Sequence, residues 1–98
     1  MQSIIGQKLM DRDGEVIGKV TDVIFDAATL EPEWITVKMS RFGSEHLVPV
    51  SATEARGEGP AVPFPKEKVK EAPVAEKGHA APSPMERQMI FEHYGIQG

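Results

Sequence analysis

The stretch Asp11-Arg12-Asp13-Gly14-Glu15-Val16-Ile17-Gly18-Lys19-Val20-Thr21-Asp22-Val23-Ile24-Phe25-Asp26 constrains the fold more than any other part of the chain. Its Asp-Gly pair supplies the positive φ that a hairpin-type turn requires. A long run rich in β-branched residues follows, which predicts a strand from about Glu15 to Phe25. The alternation of that strand is imperfect. If it were straight, Ile17, Lys19, Thr21, Val23 and Phe25 would share one face, and Val16, Val20 and Ile24 the other. A glycine inside a strand often marks a bulge, and a bend between Gly18 and Asp22 would let Ile17, Val20 and Val23 all reach one core. Such tight curvature is what a small barrel needs.

The segments on either side read as partners for this bent strand. Ser3 to Met10, anchored by Ile5 and Leu9, is a short lead-in strand, and the polar, Pro32-interrupted run from Asp26 to Glu33 is a connecting loop. In Trp34-Ile35-Thr36-Val37-Lys38-Met39 the alternation is clean: Ile35, Val37 and Met39 are expected to face in, Thr36 and Lys38 out, with Trp34 covering the edge. Past the turn at Ser40 to Ser44, Glu45-His46-Leu47-Val48-Pro49-Val50 is a fourth strand that Pro49 confines to an edge or a strand end. Thr53 to Arg56 reads as a weak strand and Ala61-Val62-Pro63-Phe64 as a last short one. Pro65 and Pro73 frame a helical turn or two. These elements define a β domain over 1–73, an extended Ala/Pro-rich linker over 74–82, and a C-terminal helix over 83–95.

That last helix carries the clearest local signals. Ser83 is placed as N-cap, Pro84 at the first helical position, and Glu86 three residues after the cap, which is the spacing of a capping box. Gly95 provides a left-handed stop. At about 100° per residue, Ile90, Phe91 and Tyr94 share one side, while Met85, Met89 and Ile96 lie roughly opposite. A helix apolar on two sides needs two partners. Its own barrel can supply one and a second chain the other, so a homodimer is expected, with Met85, Met89, Ile90, Phe91, Tyr94 and Ile96 as interface residues, the helix docking on the barrel or on the partner subunit.

Several function classes fall away on composition. With 98 residues the chain supports one modest core. The absence of cysteine excludes disulfides, thiolate nucleophiles and cysteine-ligated zinc. No apolar run approaches the roughly 18–20 residues that span a bilayer, and the N-terminus lacks the regions of a signal peptide. Membrane insertion is therefore not expected, and the cytoplasm is the expected location. A net charge of −4 argues against direct nucleic-acid binding. Lys66, Lys68, Lys70 and Lys77 are interleaved with Glu67, Glu71 and Glu76, the pattern of a solvated face.

No constellation nominates a reaction. Asp11, Asp13, Asp22 and Asp26 bracket the bent strand, but Val16 stands where a calcium loop of this type needs glycine, so turn and strand-end roles account for these acids. His46, His79 and His93 show no metal-ligand spacing, and neither a Gly-x-Ser-x-Gly elbow nor a phosphate-cradling loop is present. The sequence thus nominates no catalytic residue, no metal ligand and no cofactor, and the chain is expected not to be an enzyme.

Taken in order, Ile5-Gly6, Asp11-Arg12-Asp13-Gly14-Glu15, Ile17-Gly18-Lys19-Val20, Asp22-Val23 and Phe25-Asp26 resemble the opening of a PRC-barrel domain. Trp34-Ile35-Thr36-Val37 resembles its third strand and Leu47-Val48-Pro49-Val50 the strand after it. Val62-Pro63-Phe64, Lys66-Glu67-Lys68-Val69 and Glu71-Ala72-Pro73 are similar to the last strand and the exit from the domain. The tail from Ser83-Pro84 to Tyr94-Gly95 is similar to small free-standing bacterial members. This family is named for the photosynthetic reaction centre H subunit and includes the C-terminal domain of the ribosome maturation factor RimM. The resemblance implies a mainly β fold, a small, strongly bent antiparallel sheet closing into a barrel, with a short helix and a C-terminal helix. It also implies a non-catalytic interaction or scaffold module with an unidentified protein partner. Two alternatives come with it: an accessory domain for electron transfer or ligand binding, as in the H subunit, and a ribosome or RNA-processing adaptor, as in RimM. The sequence shows neither the membrane helix of the one nor the N-terminal domain of the other, so neither role is expected to carry over whole.

Overall fold

The computed structural model describes residues 4–96. Six strands, β1 (Lys8–Met10), β2 (Val16–Phe25), β3 (Pro32–Lys38), β4 (Glu45–Pro49), β5 (Glu54–Arg56) and β6 (Gly59–Ala61), form one sheet in the order β4-β3-β2-β1-β6-β5. A short 3-10 turn at Val50–Ala52 leads from β4 towards β5, and two helices follow, α1 (Lys66–Lys70) and α2 (Pro84–Tyr94). Among the described residues, no helix is long and apolar enough to cross a membrane.

β2 is the backbone of the sheet, and it bends where its sequence said it must. The turn before it is set by Asp11, whose Oδ1 accepts from the amides of Asp13 and Glu15, both at 2.9 Å. Register slips three times along β2, the last where Glu33 of β3 is extra between the Ile24–Trp34 and Phe25–Pro32 pairs. Ile17 is an extra residue between the Leu9–Gly18 and Met10–Val16 pairs, and Thr21 is another between the Val20–Val37 and Asp22–Thr36 pairs. Each extra residue shifts the inward phase by one. The slip at Thr21 brings Val23 into phase with Val20, opposite Ile35 and Val37, and turns Ile24 to the other covered face, opposite Trp34; Ile17, Val20 and Ile24 are buried and Val23 partly so.

Gly18 sits at the tightest point of the bend. A Cβ there would lie 2.6 Å from the Lys38 carbonyl oxygen and 2.9 Å from Val37 Cγ1. The first of these is backbone in a paired strand, which has nowhere to move. No side chain fits between β2 and β3 at this point.

Two features differ from the sequence expectation. The sheet is mixed and open rather than an antiparallel closed barrel. β1 meets β6 in parallel at Met10 and Ala61, with the Val62 amide donating to the Met10 carbonyl at 2.9 Å. The chain travels through β4 and the β5–β6 hairpin before it returns to the outer edge of β1, and it arrives there running in the same direction. The second difference is in β3, where Trp34, Ile35, Thr36 and Val37 are all fully buried. Alternation implied one wet face, but β3 is an inner strand and both of its faces are covered. Trp34 does not cap an edge; its ring lies 5.0 Å from that of Phe91 on α2. Thr36 is satisfied locally, its hydroxyl 2.7 Å from that of Thr21. The Trp34 indole N–H is the one buried side-chain polar atom without a hydrogen-bond partner among the described residues.

Gly18→Ala should destabilise the chain by about 1–3 kcal/mol, the usual scale for forcing an atom into a filled site. Urea unfolding followed by circular dichroism would measure this, and a midpoint equal to that of the parent would show that the β2–β3 crossing can relax.

Candidate functional site

The chain after α1 does not leave the sheet. The Leu47 amide donates to the Pro73 carbonyl at 3.0 Å and the Ala75 amide to the Glu45 carbonyl at 2.8 Å, while Val74 bridges His46 in antiparallel fashion. Residues 74–82 therefore run as a strap along the outer edge of β4. At Gly78 and His79 the backbone turns through the left-handed region, with φ of 90° and 56°. Such a conformation is costly for a residue with a side chain, and it persists where surrounding contacts fix it.

Here those contacts are two carboxylates. His79 Nδ1 lies 2.7 Å from Asp22 Oδ2, and His79 Nε2 is hydrogen-bonded to Glu45 Oε2. Asp22 stands directly after the Thr21 bulge of β2, and Glu45 opens β4. A neutral imidazole carries a single N–H, so an acceptor on each nitrogen selects the imidazolium, which donates to both. The hydrogen bond to Asp22, then that to Glu45, raises the His79 pKa above its ordinary 6.5. The same hydrogen bond to His79 holds the Asp22 carboxyl below its ordinary 3.8. With both ring nitrogens engaged, His79 has no lone pair to offer a metal or a substrate proton. Its place between β2, β4 and the strap makes it a latch.

The other residues singled out in the sequence have structural partners of their own. His46 donates through Nδ1 to the Ala72 carbonyl at 3.0 Å, and His93 through Nε2 to the Lys68 carbonyl at 2.8 Å. Asp26 caps its turn by accepting from the amides of Ala28 and Thr29. Asp13 is exposed in the turn that Asp11 organises. The strap partner of Asp22 had no signal in the sequence. His79 lies 57 residues from Asp22 and 34 from Glu45, and only the fold joins them.

α2 forms with the capping signals it carries. The Ser83 amide donates to Glu86 Oε1 at 2.8 Å, the Glu86 amide to Ser83 Oγ at 3.2 Å, and Gly95 ends the helix at φ 72°. The six residues expected at an interface divide sharply. Ile90, Phe91 and Tyr94 are buried in the chain's own core, and Ile96 packs partly against it. Tyr94 stacks 4.6 Å from Phe64 and donates its hydroxyl to the Leu47 carbonyl at 2.7 Å; burial raises its pKa. Arg87 fixes the helix angle by a two-pronged ion pair with Glu33, at 2.8 and 2.6 Å, while its guanidinium lies 5.5 Å from the Phe91 ring centre. The opposite side is bare: Met85 is 76% and Met89 57% exposed. Beside Met89 lies a largely apolar cleft of about 120 Å³, walled by Leu47, Pro73, Val74, Ala80 and Pro82, with Glu76 and Glu86 also in its lining.

A family model for the PRC-barrel domain matches residues 2–71, a span that takes in all six strands and α1. The chain belongs to the PRC-barrel family. The match stops at Glu71, so the strap, the latch histidine and α2 all lie beyond it. No curated protein matches the chain.

The latch makes stability depend on pH in two directions. Because the folded pKa of His79 is raised, its contribution is complete below about 6.5 and is lost as pH rises through the folded value. Because the folded pKa of Asp22 is lowered, its contribution holds above about 3.8 and is lost as pH falls further. The unfolding free energy should therefore decline as pH is raised from about 6 towards 9. Asn tolerates the left-handed backbone at this position, so His79→Asn should remove that alkaline decline without adding strain. Parallel denaturant titrations of the two proteins across this range would test the assignment, and identical slopes would count against it.

Proposed function

We propose that this chain is a non-catalytic interaction module of the PRC-barrel family, and that two copies pair through the outer face of α2. The observation that carries the reading is the division of α2 itself. One side is committed to Trp34, Phe64 and the barrel, while Met85 and Met89 stand in solvent next to an apolar cleft. Methionine is flexible and polarisable, and it adapts to an irregular partner surface better than branched side chains do. Burying a methionine contributes on the order of 1.5–3 kcal/mol, and a two-fold contact would use each residue twice. A non-catalytic role is supported by the fate of the titratable groups described above. The histidines and the acids at the strand ends are engaged in holding the fold, and in the cluster of Asp22, His79 and Glu45 both imidazole nitrogens are already taken by the two carboxylates.

Deleting residues 83–98 would remove Ile90, Phe91 and Tyr94 from the core, so point changes on the bare side are the better probe. Sedimentation equilibrium of the intact chain should report a dimer, and the pair Met85→Glu with Met89→Glu should report a monomer with an unchanged circular dichroism spectrum. A parent that stays monomeric at high concentration, or a variant that remains dimeric, would sink the proposal.

A further inference from the structure

The register of the sheet creates a charge arrangement that the sequence hides. Lys8 pairs with Lys19 and Lys19 pairs with Lys38, so three lysines stand directly opposite one another across β1, β2 and β3. Residues opposed in this way project from the same face, with neighbouring strands roughly 4.8 Å apart. Like charges in such pairs destabilise a sheet. Among the described residues, none of the three is in an ion pair, and neither is Arg41, which follows β3. The next residue in the row is Glu45, opposite Lys38, but its carboxylate is held by His79. All four cations line one open groove of about 790 Å³, whose floor is partly apolar, with Ile5, Val16 and Met39 among its walls. The groove shares no lining residue with the cleft beside Met89.

We infer that this groove binds an acidic polypeptide segment of a partner protein, with carboxylates on the Lys8–Lys19–Lys38 row and Arg41, and aliphatic side chains over Ile5, Val16 and Met39. Four unpaired cations in a chain of net charge −4 are a local exception, and charge complementarity fixes the sign of the occupant. The chemistry of the walls selects among anions. No aromatic ring lines the groove, so it lacks the stacking platforms on which single-stranded nucleic acid is held. A long polyanion or an anionic bilayer would also meet the acidic remainder of the surface, whereas a short segment meets only the row. This surface is independent of the α2 face, and dimer formation and peptide binding can fail separately.

The test uses the intact chain and a fluorescein-labelled octapeptide of alternating glutamate and valine, read by fluorescence anisotropy at low and at high salt. The peptide should bind, and binding should weaken as salt screens the row. Lys19→Glu, at the centre of the row, should weaken it roughly tenfold or more. Lys66→Glu, on α1 and outside the groove, should leave it unchanged. Because Lys19→Glu turns both like-charge pairs, with Lys8 and with Lys38, into opposite-charge pairs, it should melt no lower than the parent, which separates lost binding from lost folding. Three results would overturn the inference: no binding of the glutamate peptide, equal binding of its glutamine counterpart, or tighter binding of oligothymidylate or phosphatidylserine vesicles than of the peptide.

Discussion

The near-contact between Gly18 and the Lys38 carbonyl is the constraint on which the rest of the molecule depends. It lets β2 cross β3 closely enough to bend, and two extra residues, Ile17 and Thr21, turn that bend into a change of phase. Without the phase change at Thr21, Val23 would turn away from the face that Val20 shares with Ile35 and Val37, and a chain of this length has little hydrophobic mass to spare from its core. The bend also sets directions further away. It leaves Asp22 where the strap can reach it and lines up Lys19 between Lys8 and Lys38.

How much of this was legible depended on the range of the interaction. Local chemistry could be read directly: the Asp11–Gly14 turn, the break in alternation around Gly18, and the Ser83–Glu86 capping box each involve residues within a few positions of one another. Strand existence was equally visible. What could not be read was which faces other elements would cover. Thr36 looked like a solvent residue because alternation reports one strand, not its neighbours, and Trp34 was placed at an edge because nothing in its own segment reveals that α2 lies over it. The parallel contact of β1 with β6 belongs to the same class, since it follows from the path of the chain between them.

The candidate sites follow the same rule. The two-sided character of α2 was in its sequence, whereas the division of labour between its sides became clear only when Ile90, Phe91 and Tyr94 met the barrel. Neither the latch at His79 nor the lysine row had a sequence signature. In both, residues tens of positions apart are brought together by strand register or by the strap. The acidic net charge argued against nucleic acid and gave no hint of the row, because a sum over the chain says nothing about where its positive charges lie.

Glu45 links these two features. By register it is the natural internal counter-ion of Lys38, yet its carboxylate is drawn to the imidazolium of His79, which reaches across β3 to Asp22 as well. While His79 keeps its proton, the row has no carboxylate of its own to compete with an arriving one. Once the proton leaves, the hold on Glu45 weakens and an intramolecular rival for the same cation becomes available. The charge beside Lys38 is thus coupled, through Glu45, to a residue outside the span shared with the family.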